Sequence, residues 1–221
     1  MEIDFWKQRW QENQIGFHLD EVNPNLKQFW STLKLAQGSH VLVPMCGKTL
    51  DLLWLHQAGH AVTGIECSQL AVETFFAEQN LPVERKPVGD LQSYQSDSLQ
   101  LLLGDFFALQ SNMLLDVAGV YDRAALIALP ADMRKDYVEK LFAILPATAS
   151  ILLVTLEYNQ SVMQGPPFSV PETEVQSLYS NRFVIHKLQQ QNVLPDQPRF
   201  AQRGLNVLHE TVYLLQAKPV T

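Results

Sequence analysis

The sequence predicts an α/β fold built on a mostly parallel, doubly wound sheet, and three features carry that expectation. Residues 41–66, VLVPMCGKTLDLLWLHQAGHAVTGIE, read as strand, turn, helix and strand in direct succession. Further apolar runs at 99–103, 117–121 and 149–156 alternate with helical patterns, as parallel strands buried on both faces do. Two last runs, 183–188 and 205–215, are separated only by a proline-containing loop and read as a closing antiparallel pair. Together these give a seven-stranded sheet.

The 41–66 unit organises the rest. Val41, Leu42 and Val43 form a buried strand that stops at Pro44. Met45, Cys46, Gly47 and Lys48 make a tight turn, with Thr49 placed to cap the helix 50–58 that ends at Gly59. The second strand ends in Glu66. In a doubly wound sheet that tip faces the ligand crevice, where a carboxylate accepts hydrogen bonds from ribose hydroxyls. A phosphate-binding loop would need glycine at position 42, which is Leu42, and Gly47 is the only glycine in the turn, so the dinucleotide fingerprint is absent too. A nucleoside ligand without phosphates, such as S-adenosylmethionine (SAM), makes a smaller demand on such a turn. The competing reading leaves Glu66 merely solvated.

Taken in order, the first forty residues are aromatic in a polar setting. Trp6 and Trp10 share one helix face, followed by Phe17 and His18. The segment, about residues 1–35, reads either as a helix docked on the domain or as a lid, with Trp10 packing near the cofactor. A further helix over 25–35 leads into the first strand. Ser68 caps a helix through Gln79. Residues 83–88 read as an edge strand or an extended loop, and 89–98 as polar and irregular. After the strand 99–103, Asp105 and Phe106 have two readings, an adenine pocket or a simple helix cap. The strand 117–121 leads into Asp122 and Arg123, where the arginine either points into the crevice to bind a soft anion or pairs structurally with an acid. Pro130 opens a helix, and residues 165–171, GPPFSVP, form a stiff loop leading to a helix over 172–179.

Composition narrows the function classes. With 16 Lys and Arg against 23 Asp and Glu among 221 residues, the chain carries a net charge of −7 and has no basic stripe, which disfavours a nucleic-acid partner. The N-terminus MEIDFWKQRW lacks a basic leader and an apolar core, and no apolar run is long enough to span a membrane, so a cytoplasmic protein is expected. Cys46 and Cys67 are the only cysteines and are expected as reduced thiols. His56 and His60 are separated by a helix-breaking Gly59 and form no metal set, and no G-x-S-x-G elbow points to a hydrolase.

The strings VLVPMCGKTLDLLWL, GHAVTGIECS, VYDRAALIALP and GPPFSVP, with WKQRW before them and HETVYLL after, resemble the thiopurine S-methyltransferase family, particularly its bacterial branch. The resemblance covers nearly the whole chain. It implies one class I SAM-dependent methyltransferase domain over 1–221, acting on aromatic or heterocyclic thiols and, in bacterial relatives, on selenium and tellurium compounds. Carried over by position, the SAM contacts fall on Trp10, Met45, Glu66 and Arg123, where the family usually has leucine at 45. Adenine-side contacts fall near Asp105 and Phe106. The acceptor side takes Arg123 as the residue positioning the thiolate, with Phe17, His18 and Arg199 as substrate contacts and Arg203 as the competitor of Arg199. The expected protein is a monomer with a small-molecule thiol acceptor and no metal. In-line methyl transfer to an ionised thiol needs positioning and desolvation more than a strong base. The alternatives are a non-catalytic SAM sensor and a small-molecule O- or N-methyltransferase.

Overall fold

The computed structural model describes residues 3–219, so the outermost two residues at each end of the expected 1–221 domain, including the start of the lid segment, lie outside the described residues. One sheet runs through the protein in the order β3-β4-β5-β2-β1-β6-β7-β9-β8. Its parallel centre consists of β1 (His40–Pro44), β2 (Ala61–Glu66), β5 (Leu99–Leu103), β6 (Val117–Arg123) and β7 (Ser150–Glu157). The chain steps outward from β1 to β2 and β5, then returns to lay β6 on the other side of β1. That reversal opens a crevice at the carboxyl ends of β1 and β6, the place where this topology holds ligands.

The sheet has nine strands rather than seven. Residues 84–96, expected to be irregular from 89 onward, form a hairpin of β3 (Glu84–Val88) and β4 (Leu91–Ser96), and β4 pairs antiparallel with β5. At the far side, β9 (His209–Ala217) pairs antiparallel with β7, and β8 (Phe183–Asn192) pairs antiparallel with β9 at the edge. The last strand begins at His209, not 205, because Leu205 N turns back to Phe200 O at the end of the short helix α7 (Pro198–Ala201) and Leu208 N is taken by the Asn192 side chain.

Alternation along the strands sends side chains to two cores. Leu42, Ile65, Leu102, Val120 and Leu153 face α5 (Ala131–Ile144) and α6 (Glu172–Tyr179). Val41, Val43, Val62, Leu101 and Tyr121 face α3 (Asp51–Gln57) and α4 (Gln69–Glu78), with Leu26 and Trp30 from the N-terminal part. There α1 (Ile3–Gln11) precedes α2 (Pro24–Phe29), and the helix expected over 25–35 tightens into a 3₁₀ turn at Trp30–Leu33. No helix among the described residues is long and apolar enough to cross a membrane.

A clasp joins α5 to β8. The Arg182 guanidinium donates to the carbonyls of Phe142, Leu145 and Pro146 at 2.7, 3.0 and 2.6 Å, satisfying groups that the end of α5 leaves bare. Arg182→Ala is expected to lower stability by about 1–3 kcal/mol. Urea denaturation reads this as a lower midpoint, and an unchanged midpoint would remove the clasp from the account.

Candidate functional site

Glu66 ends β2, beside the turn that follows β1. It is buried, and each carboxylate oxygen already accepts a backbone hydrogen bond: Oε2 from Gly47 N at 2.8 Å and Oε1 from Ser68 N at 2.8 Å. Its own carbonyl accepts from Gly104 N at 2.9 Å, which fixes the end of β5 beside it. Burial pushes the carboxyl above its ordinary value, and the Ser68 and Gly47 N–H groups pull it back. A carboxylate oxygen has two lone-pair sites; Oε1 also accepts from the Cys67 thiol at 3.4 Å, so Oε2 is the oxygen with a site left for a ribose hydroxyl. The merely solvated Glu66 is thereby set aside.

The turn beneath Glu66 is unusual in backbone and tight in packing. Met45 and Gly47 both have positive φ, 47° and 56°. A Cβ on Gly47 would come within 3.0 Å of the Trp10 ring, so the glycine is what lets the indole lie against the turn. Thr49 does not cap α3 as its N-cap residue. Leu50 occupies that position, while the Thr49 hydroxyl accepts from Asp51 N at 3.3 Å. Cys46 packs towards Gly64 and Leu52, and burial raises its thiol, consistent with a packing role.

The N-terminal segment is seated across this turn. Phe17 meets Trp6 and Trp10 edge to face at 5.7 and 5.6 Å. Its carbonyl accepts from Arg123 Nη1 at 3.1 Å. A Cβ at Gly16 would stand 2.5 Å from Arg199 Nη1, so Arg199 reaches the same segment. His18 follows, with its side chain 12 % exposed. Burial, then Lys48, hold the imidazole below its ordinary value, Arg123 acts in the same direction, and Asp20 and Glu78 oppose them.

The pair Asp122–Arg123 separates. Asp122 turns inward and accepts from the Tyr137 hydroxyl at 2.7 Å and Leu126 N at 3.1 Å. Arg123 is left to the crevice side, followed by Ala124 at φ 68°. Of the adenine-side pair, Asp105 caps a short 3₁₀ turn through Phe107 N at 2.9 Å, and its side chain is exposed. The Phe106 ring is committed to the core, 4.8 Å from the Tyr137 ring. This leaves only backbone groups of Phe106 for a ligand.

Residues 1–218 match the family described as thiopurine S-methyltransferase. The chain belongs to the thiopurine S-methyltransferase family. Relatives bearing that family's name include one from Pseudomonas putida, 48 % identical over 96 % of this chain and 98 % of its own length. Another, from Pseudomonas paraeruginosa, is 51 % identical over 98 % and 99 %. Membership makes this chain a SAM-dependent methyltransferase enzyme with SAM as its cofactor. The fold is shared with a Burkholderia thailandensis 1,6-didemethyltoxoflavin-N1-methyltransferase solved with S-adenosylhomocysteine (TM-score 0.66, 16 % identity, 98 % of this chain and 87 % of that one). A SAM-dependent methyltransferase from Anabaena variabilis shares it too (TM-score 0.64, 13 % identity, 98 % and 95 %).

Within this thiopurine S-methyltransferase fold, the Gly-Pro-Pro-Phe loop is held by residues that spacing alone did not flag. Tyr158 Oη donates to Pro167 O at 2.6 Å, and Gln160 Nε2 donates to Tyr158 Oη and Met163 O at 3.2 and 2.7 Å. Gln160 Oε1 accepts from Ser169 N at 2.8 Å, and Phe168 N donates to Ile127 O at 2.7 Å. Tyr158 stands just past the apolar run 149–156. A groove of about 520 Å³ opens beside the loop, lined in part by Arg134, Glu157, Tyr158, Phe168 and Glu174. Its buried Arg134 is neutralised by both Glu174 oxygens at 2.7 Å.

Asp122 has a pH signature. Burial pushes its carboxyl up to about 6 from 3.8, against the pull of the Tyr137 and Leu126 bonds. The native state therefore holds the extra proton between those values, and this group's contribution to stability is greatest below about pH 4 and falls as pH rises through about 6. Asp122→Asn is expected to flatten the fall in urea midpoint across that window, though not abolish it, since Glu66 shifts in the same sense. An unaltered pH profile in the variant would contradict the assignment.

Proposed function

We propose that the chain moves the SAM methyl group to the sulfur of an aromatic or heterocyclic thiol such as a thiopurine, with selenium and tellurium compounds as softer acceptors of the same kind. Arg123 carries this reading. It stands at the carboxyl end of β6, where the sheet reverses, and has no carboxylate partner among the described residues. A guanidinium beside an approaching thiol favours the thiolate, so the acceptor binds as the nucleophile without a separate strong base. When bound, SAM supplies an activated methyl carbon on a sulfonium.

The chain's residues do the positioning. Glu66 takes the ribose hydroxyls, one on Oε2 and one on Oε1 in place of the Cys67 thiol, while Trp10 and Met45 line the turn on which the cofactor lies. Asp105 and the backbone at Phe106 form the adenine side. Arg123, Phe17, His18 and Arg199 form the acceptor side. The N-terminal segment, about residues 1–35, acts as the lid of a single methyltransferase domain. Trp6, Trp10 and Phe17 displace water from the reacting atoms, which strengthens every charge interaction there. His18, held neutral by its surroundings, contacts the acceptor without adding to its charge. The same reading has the enzyme working as a monomer in the cytoplasm on small molecules, and the net charge of −7 supports no nucleic-acid role.

Incubation with methyl-labelled SAM and an aromatic thiol is expected to give a labelled thioether. Arg123→Ala should lower kcat/KM for the thiol at least about tenfold, the low end for loss of a charged hydrogen bond, with the fold retained by circular dichroism. Tight SAM binding without any thioether would mean a cofactor-binding module instead. Full activity in the variant would return Arg123 to a structural role.

A further inference from the structure

The N-terminal segment joins the body of the fold at one residue. Among residues 3–22 only Trp10 is buried, whereas Asn23, Asn25 and Leu26 all are. Ahead of that boundary the segment is tied to itself. Gln14 N donates to Arg9 O at 2.8 Å, His18 N donates to Ile15 O at 2.7 Å, and the Trp10 and Phe17 rings meet edge to face. Residues 9–18 are therefore one piece, which meets the mouth through Trp10 on the turn and Phe17 on Arg123. Behind the boundary the Asn23 side chain caps α2 through Asn25 N at 2.9 Å, and the Asn25 amide donates to Glu210 of β9 at 2.7 Å.

Asn23 itself is held by Asp51. Asp51 Oδ1 accepts from Asn23 N at 2.8 Å, across 28 residues of chain. Asp51 is the first residue of α3, just past the turn at Gly47, and its own N–H rests on the Thr49 hydroxyl at 3.3 Å. The turn and the root of the N-terminal segment thus share one carboxylate. That carboxylate is otherwise poorly served. It is 1 % exposed, Oδ2 lies buried without a well-formed hydrogen bond, and so does the Tyr121 hydroxyl that its charge reaches. A buried acid with one good donor is destabilising beside an apolar side chain of its size. Packing gives no reason for it, whereas the position of the Asn23 N–H does.

We propose that Asp51 is a positioning residue for cofactor binding: it fixes where the N-terminal segment leaves the body, and so sets Trp10 down against the turn at Gly47. It acts through that segment. The inference rests on the reading of the segment as a cover over the cofactor, and goes beyond it by naming the residue that aims the cover. The lever is short, since only residues 19–22, none of them buried, separate the tied piece from Asn23. A displacement at Asn23 carries the whole piece with it. A gap of about 0.5–1 Å already forfeits a quarter to a half of a dispersion contact, so the indole is sensitive to small errors of aim.

The test measures S-adenosylhomocysteine affinity by calorimetry. Asp51→Leu is expected to weaken binding about tenfold, the low end for losing a hydrogen bond to a charged group. Asp51→Asn, which keeps an acceptor oxygen for Asn23 N, should retain most of the affinity. Asn23→Pro removes the N–H instead, at a φ of −55° that proline adopts, and should match Asp51→Leu. If circular dichroism shows Asp51→Leu unfolded, Asn23→Pro carries the comparison. In a Trp10→Ala background Asp51→Leu should add little, because both changes act through the same ring. Parent-like affinity in Asp51→Leu and Asn23→Pro, whatever their urea midpoints, overturns the inference, as does a full further tenfold loss in the Trp10→Ala background. Trp10→Ala binding as tightly as the parent protein overturns the cover reading, and the inference with it.

Discussion

A single buried carboxylate ties the site together. Glu66 is the last residue of β2, yet it reaches back to the turn after β1 through Gly47 and forward to the start of α4 through Ser68. Placing a charge in that position is costly unless donors surround it, and the two backbone N–H groups meet the requirement. In return, the carboxylate joins the two loops, adding to the Cys46 N bond on Ile65 O at 3.0 Å that already ties the turn to the end of β2. With Gly104 N on the Glu66 carbonyl, three strand ends share one anchor. A cofactor bound here meets a preorganised wall, not a loop that must first be ordered.

The second layer of the site comes from outside the sheet. The N-terminal aromatics pack on one another through Phe17, and Gly47 gives Trp10 a place against the turn. Arg123 and Arg199 then hold the chain at Phe17 and Gly16. The enclosure is thus assembled from contacts far apart in sequence, 106 residues in the case of Arg123 and Phe17. On the proposed assignment its charge is lopsided, with Glu66 on the cofactor side and the Arg123 and Arg199 guanidiniums on the acceptor side. That polarity suits a cationic donor and an anionic acceptor, whose charges cancel as the methyl group moves.

What was legible in the sequence follows from local physics. The 41–66 unit, the Ser68 cap and the helix at 172–179 are set by apolar periodicity and short-range capping, and the structure places them as expected except that Leu50, not Thr49, precedes α3. The strand 91–96 was missed because Gln92, Ser93, Gln95 and Ser96 give it no apolar alternation. Its polar residues are absorbed by pairing with β5, including Gln100 Nε2 on Ser93 Oγ at 2.9 Å. The separation of Asp122 from Arg123 and the hub at Gln160 depend on partners 9 to 15 residues away, such as Tyr137 and Ser169, which no local pattern reveals. Residue types at the crevice could be read, whereas their hydrogen-bond partners could not.

The most direct measurement is calorimetric titration of the purified protein and its Glu66→Gln variant with S-adenosylhomocysteine. The unmodified protein should bind one equivalent. The variant, which keeps the side-chain shape but loses the charge that both ribose hydroxyls meet, should bind at least about tenfold more weakly, as expected for weakening a charge-assisted hydrogen bond. Equal affinity in the two proteins, or no heat from the unmodified one, would contradict the placement of the cofactor on Glu66.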